Sequence, residues 1–333
     1  MRSIILCNSE ANVNYVYSES VKLALSQQAG LEQNIYSRED VLQQPAAFHD
    51  VDFIFSTWGM PSFTEEEIDL CFPNLKRIFY AAGTVQSFAR PFLQKGIQIH
   101  SAWIANAIPV AEYTVAQILL ANKGYFQSAH QASSGDYADA RQNHLQYPGN
   151  YDTRVGIIGL GAIGDLVCQM LKPYQLQVVA YSRSLTQERA DAMGVEKSDI
   201  ETIFKTCQVV SNHIANNPHT RGIFNKDHFL SMVPNGVFLN TGRGAQVVEA
   251  DLICALSERP DITAVLDVTD PEPPRAGSLF YTLPNCILTP HIAGSSGSEV
   301  HRMAEYMLQE FSRYCANQAC LYEVSLKMLE TMA

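Results

Sequence analysis

The stretch RVGIIGLGAIGDLVCQML, residues 154 to 171, decides how this chain is read. The short run VGII reads as a strand, and it leads into Gly159, Gly161 and Gly164 and then into a segment rich in apolar residues. In a strand, turn and helix of this kind the first glycine permits the tight turn and the second lets a pyrophosphate approach the backbone. The third lets helix and strand pack closely, with the helix amino end facing the phosphates. Ala162 and Ile163, between the second and third glycines, belong to the same cradle. A second strand, VVAYS, follows at about the spacing expected of a dinucleotide-binding unit. The competing reading is a turn that uses glycine for its dihedrals alone.

The end of that second strand carries Ser182, Arg183 and Ser184, within VVAYSRSLTQ. An acid at this position would accept a hydrogen bond from the ribose 2′-OH and repel a 2′-phosphate. Ser182 removes the repulsion, while a guanidinium beside two hydroxyls can pair with a phosphate through two hydrogen bonds. The sequence therefore predicts NADP as cofactor in preference to NAD, with NAD as the alternative. An arginine stacked on adenine or turned to solvent is the plainer reading.

Outward from this motif, apolar runs alternate with amphipathic segments along the chain, the pattern of parallel sheets covered by helices. The fold class is α/β. A length of 333 residues suggests two domains, and 47% hydrophobic with 17% charged residues is the composition of a globular protein. The first 100 residues give strands at SIILC, VDFIFST, LKRIFYAA and IQIHSA, with a helix start at Thr64-Glu65-Glu66-Glu67. NAIPVAEYTVAQILLANKG, residues 106 to 124, reads as a long, mostly buried helix with Pro109 near its start. Residues 125 to 152 are polar and turn-rich and read as a linker or arm. Further strands are expected at CQVVSNHI, GVFLNTG, ITAVLDV and CILTP, and SEVHRMAEYMLQEFSRYC reads as a closing packing helix.

A net charge of -11 and the lack of a basic run exclude a nucleic-acid partner. The apolar run IILC is too short for a signal peptide core, and no apolar segment of membrane length is read, so a cytoplasmic protein without a membrane partner is expected. Eight cysteines without a Cys-x-x-Cys pair read as free, mostly buried thiols, with no metal site.

Three polar residues fall at the carboxyl ends of successive strands: Arg243 in NTGRGAQVVE, Glu272 in DVTDPEPP and His291 in LTPHIAGSS. Open α/β sheets place ligands at those ends. Each has a bland explanation alone: a surface ion pair, a solvated acid, a capping imidazole. Together they supply what hydride transfer to a 2-keto acid needs, a cation for carboxylate and carbonyl and a proton donor for the developing alkoxide.

GLGAIG, NTGRGAQVVE, DVTDPEPP and TPHIAGS, in this order and spacing, resemble the D-isomer-specific 2-hydroxyacid dehydrogenase family. The resemblance implies that Arg243 binds the substrate carboxylate and carbonyl, that His291 is the general acid/base and that Glu272 hydrogen-bonds His291. It implies that Asp267 contacts the nicotinamide carboxamide, with His213 and Thr241 also on the cofactor side. In AAGTVQ the loop Gly83, Thr84, Val85 would receive the substrate carboxylate on backbone N–H groups. Trp58 is read beside them, either as a packed aromatic or as a wall for an apolar substrate side chain. The architecture implied is a Rossmann-like cofactor domain, residues 104–292, inserted in a flavodoxin-like substrate domain, residues 1–103 and 293–333. Both would be doubly wound parallel sheets, and the partners implied are a small 2-keto or 2-hydroxy acid and a second copy of the chain in a homodimer. The stretch SNHIANNP departs from the family pattern at Ala215 and Asn217, on the adenosine side of the cofactor. The alternative function is a dinucleotide-sensing, corepressor-like binding protein of the same fold.

Overall fold

In the structure, a computed structural model that describes residues 1–330, the chain forms two compact units, Met1–Asn106 with the segment from Ser295 onward, and Ala107–Gly294. The first unit opens with strands β1 (Ser3–Leu6), β2 (Leu31–Tyr36), β3 (Phe53–Ser56), β4 (Arg77–Tyr80) and β5 (Gln98–Ser101). β1 and β3 are buried along their whole length, as central parallel strands covered on both faces must be. β2, LEQNIY, escapes a hydrophobicity reading because it is polar, and it is polar because it lies at the sheet edge. The helix Glu65–Cys71 starts as its sequence predicts: Thr64 accepts from the Glu67 N–H, and Glu67 reaches back to the Thr64 N–H.

The second unit holds β6 (Tyr151–Ile158), β7 (Gln175–Tyr181), β8 (Glu196–Lys197), β9 (Val209–Asn212), β10 (Val237–Asn240), β11 (Thr263–Leu266) and β12 (Cys286–Leu288). They pair in parallel in the order β12-β11-β10-β9-β6-β7-β8. The direction of strand succession reverses between β6 and β9, which is the doubly wound arrangement, and ligands bind at such a reversal. One face is filled by Phe204, Phe224, Phe229 and Phe238, the other by Ala111, Val115, Ile118, Val167 and Leu171.

The chain then returns to the first unit through the helix His301–Cys315 and β13 (Glu323–Val324), which pairs antiparallel with β5. The sheet order is β13-β5-β4-β3-β1-β2, so β1 to β5 follow the flavodoxin-like pattern. Phe311 of the closing helix packs its ring edge against Phe53, Phe55 and Phe79 at 5.4, 5.7 and 5.6 Å. Glu310 beside it is fully buried and accepts the N–H groups of Leu321 and Tyr322, which fixes the chain on its way into β13.

Three sequence readings need correction. The long helix begins earlier, at Trp103, and runs to Asn122 with Pro109 inside it, so the helix forgoes one backbone bond that its buried packing offsets. That helix is also long and apolar enough to cross a membrane by length and composition, although half of the qualifying window is buried within the protein. Residues 125 to 152 are not a bare linker: they form helices Tyr125–Ser133 and Tyr137–His144, joined by Asn143 donating to Gln131 at 2.8 Å. Phe126 packs on the second unit's core, but Ala140 is the lone buried residue of the second helix, too little to leave a periodic apolar signal. All eight cysteines are free, five of them buried.

Candidate active site

Each glycine of the loop after β6 has a different physical reason. Gly159 has φ of +102°, and a Cβ there would lie 2.5 Å from the carbonyl carbon of His213, at the end of β9. The two loops at the strand reversal therefore touch. A Cβ on Gly164 would come within 1.9 Å of the Gly159 carbonyl oxygen, so the helix Ala162–Leu171 can lie close to β6 only with glycine there. Gly161 is different: its backbone is extended, at φ -96° and ψ -159°, and an added Cβ meets nothing within 4 Å. The protein itself does not require glycine at that position. No side chain caps this helix, and the N–H groups over Ala162 and Ile163 leave it open to an anion.

Ser182, Arg183 and Ser184 lie directly after β7, whose last residue Tyr181 accepts the Gly159 N–H at 2.7 Å. The hydroxyls of Ser182 and Ser184 are 3.3 Å apart. Arg183 is exposed, and among the described residues it has no hydrogen-bond or ion-pair partner. On the other side of the loop, His213 Nε2 is 2.9 Å from the Ser211 hydroxyl, while Nδ1 is buried without a partner. Burial pushes the imidazole down from 6.5 to about 4, so it is neutral at physiological pH. An orphan ring nitrogen, a loop open at Gly161 and an uncapped helix fit a dinucleotide laid across this reversal.

The loops after β9 and β10 are held by buried amides. Asn212 and Asn240 end neighbouring strands in register, and Asn212 donates to Asn240 at 2.9 Å and to Gln246 at 2.5 Å. Gln246 donates to the Ile214 carbonyl, and Asn240 donates to the carbonyl of Arg243. All three amides are fully buried and bonded, which makes the loop rigid. Gly244 approaches the backbone of Thr269 so closely that a Cβ would lie 1.9 Å from its carbonyl carbon. The loop carrying Arg243 is thus fixed against the one that leads to Glu272. Arg243 is half-buried and donates to the Gly242 carbonyl; burial lowers its pKa and the charge of Glu272 opposes that. Thr241, next in the loop, is 3.4 Å from the hydroxyl of Thr114.

His291 adopts φ of +55°, a left-handed conformation that is uncommon for a side-chain-bearing residue. Asp267 holds it there. Its backbone carbonyl accepts the His291 N–H, and its buried carboxylate accepts Thr289 Oγ1 at 2.6 Å, the Ile292 N–H at 2.8 Å and the Ala293 N–H at 2.9 Å. Three of roughly four acceptor positions are therefore used within the chain. Because Thr289 gives its proton to Asp267, the Tyr113 hydroxyl 3.2 Å away is the donor to Thr289. His291 Nδ1 is 2.8 Å from Glu272 Oε1, with both side chains about half exposed. An ionised carboxylate can only accept, so Nδ1 is the donor to Glu272, and Nε2 has no hydrogen-bond partner among the described residues.

In the first unit, Gly83 has neither a positive φ nor a crowded Cβ direction, the nearest atom being Asn106 Nδ2 at 3.9 Å. Ser101 Oγ lies within hydrogen-bond distance of the carbonyls of Ala82 and Gly83, which ties the start of this loop to the end of β5. Those two N–H groups have no acceptor among the described residues. Trp58 lies after β3, partly buried against the core, with its carbonyl accepting Asn12 Nδ2 at 2.8 Å.

A family model, D-isomer specific 2-hydroxyacid dehydrogenase, NAD binding domain, matches residues 115–293, more than half of the chain. The chain belongs to the D-isomer-specific 2-hydroxyacid dehydrogenase family. It is 30% identical over 242 residues to the human glyoxylate reductase/hydroxypyruvate reductase, covering 72% of this chain and 73% of that one. It is 32% identical over 218 residues to the D-3-phosphoglycerate dehydrogenase of Methanocaldococcus jannaschii, but there the match covers 65% of this chain and only 41% of the relative. In fold it is similar to D-mandelate dehydrogenase of Rhodotorula graminis, with a TM-score of 0.82, 18% identity and 97% of each chain covered. For this dehydrogenase-family chain, sequence reading alone passes over Asn212, Asn240, Gln246, Thr289 and Tyr113. Paired asparagines at the ends of VVSN and VFLN are the one signal that could have marked the amide network.

Proposed function

We propose that this chain reduces a 2-keto acid to a D-2-hydroxy acid, with NADPH preferred over NADH. The carrying observation is the hydrogen bond between His291 Nδ1 and Glu272, which orients the ring on a loop clamped by Asp267 so that the imidazolium form can give the proton on its Nε2. A nicotinamide dinucleotide, when bound across Gly159, Gly161 and Gly164, supplies the hydride. The Arg243 guanidinium pairs with the substrate carboxylate and polarises its carbonyl, and His291 Nε2 gives a proton to the developing alkoxide. Glu272 stabilises the imidazolium that delivers that proton and fixes its orientation. The N–H groups of Thr84 and Val85, without acceptors among the described residues, are suited to receive a carboxylate. Arg183, exposed and with no partner among the described residues, can take a 2′-phosphate.

Exposed Tyr137, Leu145 and Tyr151 give the segment after the long helix the apolar surface a homodimer contact needs. Assays of glyoxylate, hydroxypyruvate, 3-phosphohydroxypyruvate, pyruvate, phenylpyruvate and branched 2-keto acids with both reduced cofactors test the function. A bulky apolar acid should give the highest kcat/KM if Trp58 lines the substrate. Turnover of none of them sinks the proposal.

A further inference from the structure

The helix whose amino end faces the expected diphosphate carries an acid in its first turn, Asp165. On the cofactor-free protein this is a favourable place for a carboxylate, next to the positive end of the helix dipole. Once a dinucleotide diphosphate is bound at that end, the same charge repels it. The structure shows what answers that charge: Arg189 Nη2 donates to both carboxylate oxygens of Asp165, at 2.8 and 2.7 Å. The same Nη2 lies 3.5 Å from the carbonyl of Leu160, inside the glycine loop. Arg189 belongs to the helix Gln187–Met193, which follows the Ser182–Ser184 turn and is capped by Thr186 accepting the Arg189 N–H. One side chain therefore links the glycine loop, the phosphate-facing helix and the element after β7.

Both partners are about a third exposed, so the pair gains little stability for the fold. Its place at the phosphate end of the helix gives it another use. We infer that Arg189 is a positioning residue for the dinucleotide, neutralising Asp165 so that the helix amino end can accept the diphosphate. This rests on the reading of the glycine loop as a dinucleotide site. It differs from the role of Arg183, because the diphosphate is common to NADH and NADPH whereas the 2′-phosphate is not.

The test is equilibrium binding of NADH and NADPH, followed by nucleotide fluorescence at low and high salt, with thermal unfolding of each cofactor-free variant alongside. Arg189→Met should weaken both nucleotides equally, by about tenfold, since it leaves a partly buried charge uncompensated beside the ligand. Added salt should shrink the loss by screening. Arg189→Lys should bind within about threefold of wild type, and Asp165→Asn in the Arg189→Met background should restore binding to a similar level, because it removes the repelling charge. If Arg189→Met unfolds, Asp165→Asn alone decides, and should bind both nucleotides at least as tightly as wild type. Wild-type affinity in Arg189→Met, no recovery in the double variant, selective loss of NADPH, or weakened binding in Asp165→Asn each overturns the inference. Wild-type protein that binds neither nucleotide overturns the underlying reading instead.

Discussion

Arg183→Ala separates the two cofactors. Arg183 is exposed and unpartnered among the described residues, so its removal breaks no bond to any of them and the melting temperature of the cofactor-free protein should not move. Against NADPH the guanidinium stands to make a charge-assisted contact worth roughly 1.5 to 3 kcal/mol, or about 10 to 100-fold in affinity. Its solvent exposure argues for the lower end, near tenfold, because water and salt screen an exposed pair. Against NADH there is no 2′-phosphate contact to lose, and affinity should stay within about threefold of wild type by the same reasoning. Steady-state kinetics with both reduced cofactors, at fixed keto acid and two ionic strengths, give the comparison. A wild-type preference for NADH, or an equal loss of both nucleotides in the variant, refutes the assignment of Arg183 to the 2′-phosphate.

The glycine loop makes two opposite forecasts. Gly161→Ala, where a Cβ meets nothing, should leave unfolding unchanged yet weaken both nucleotides, whereas Gly164→Ala should destabilise by about 1 to 3 kcal/mol through overpacking against Gly159. Thermal melts with nucleotide titrations check both. For His213, burial lowers the pKa from 6.5 to about 4, so between those values the unfolded chain binds a proton that the folded chain does not. Stability on this account is complete above about pH 6.5 and falls as pH drops toward 4, by roughly 1.4 kcal/mol per unit. His213→Asn should flatten that acid limb in urea unfolding across the range. His291→Ala should lower kcat about 10² to 10⁴-fold with nucleotide affinity unchanged, and Glu272→Gln should lower kcat less. Equal activity in either variant removes that residue from the mechanism.

The sequence makes the glycine loop and most central strands readable because each rests on a local rule, glycine at a forced turn and apolar runs for buried strands, while the sheet architecture comes from the family resemblance. Arg243, Glu272 and His291 are legible for a related reason, since charge at the carboxyl end of an apolar strand stands out. What could not be read is whatever depends on partners distant in sequence. Asn212, Asn240 and Gln246 are ordinary polar residues until the parallel pairing of β9 and β10 brings them together. Asp267 reads as a ligand contact, yet most of its acceptor capacity holds the His291 loop. The edge strand β2 and the helices Tyr125–Ser133 and Tyr137–His144 lack an apolar period because so little of each is buried.

On the proposed mechanism, hydride passes from a nicotinamide to C2 of a keto acid while His291 delivers a proton to its oxygen. Reduction of the best keto acid from the panel with NADPH deuterated at the transferred position tests this most directly, with the product examined by mass and by chiral separation. One deuterium at C2 of the D-2-hydroxy acid is expected for each cofactor oxidised. Product lacking deuterium at C2, or the L-isomer, contradicts it.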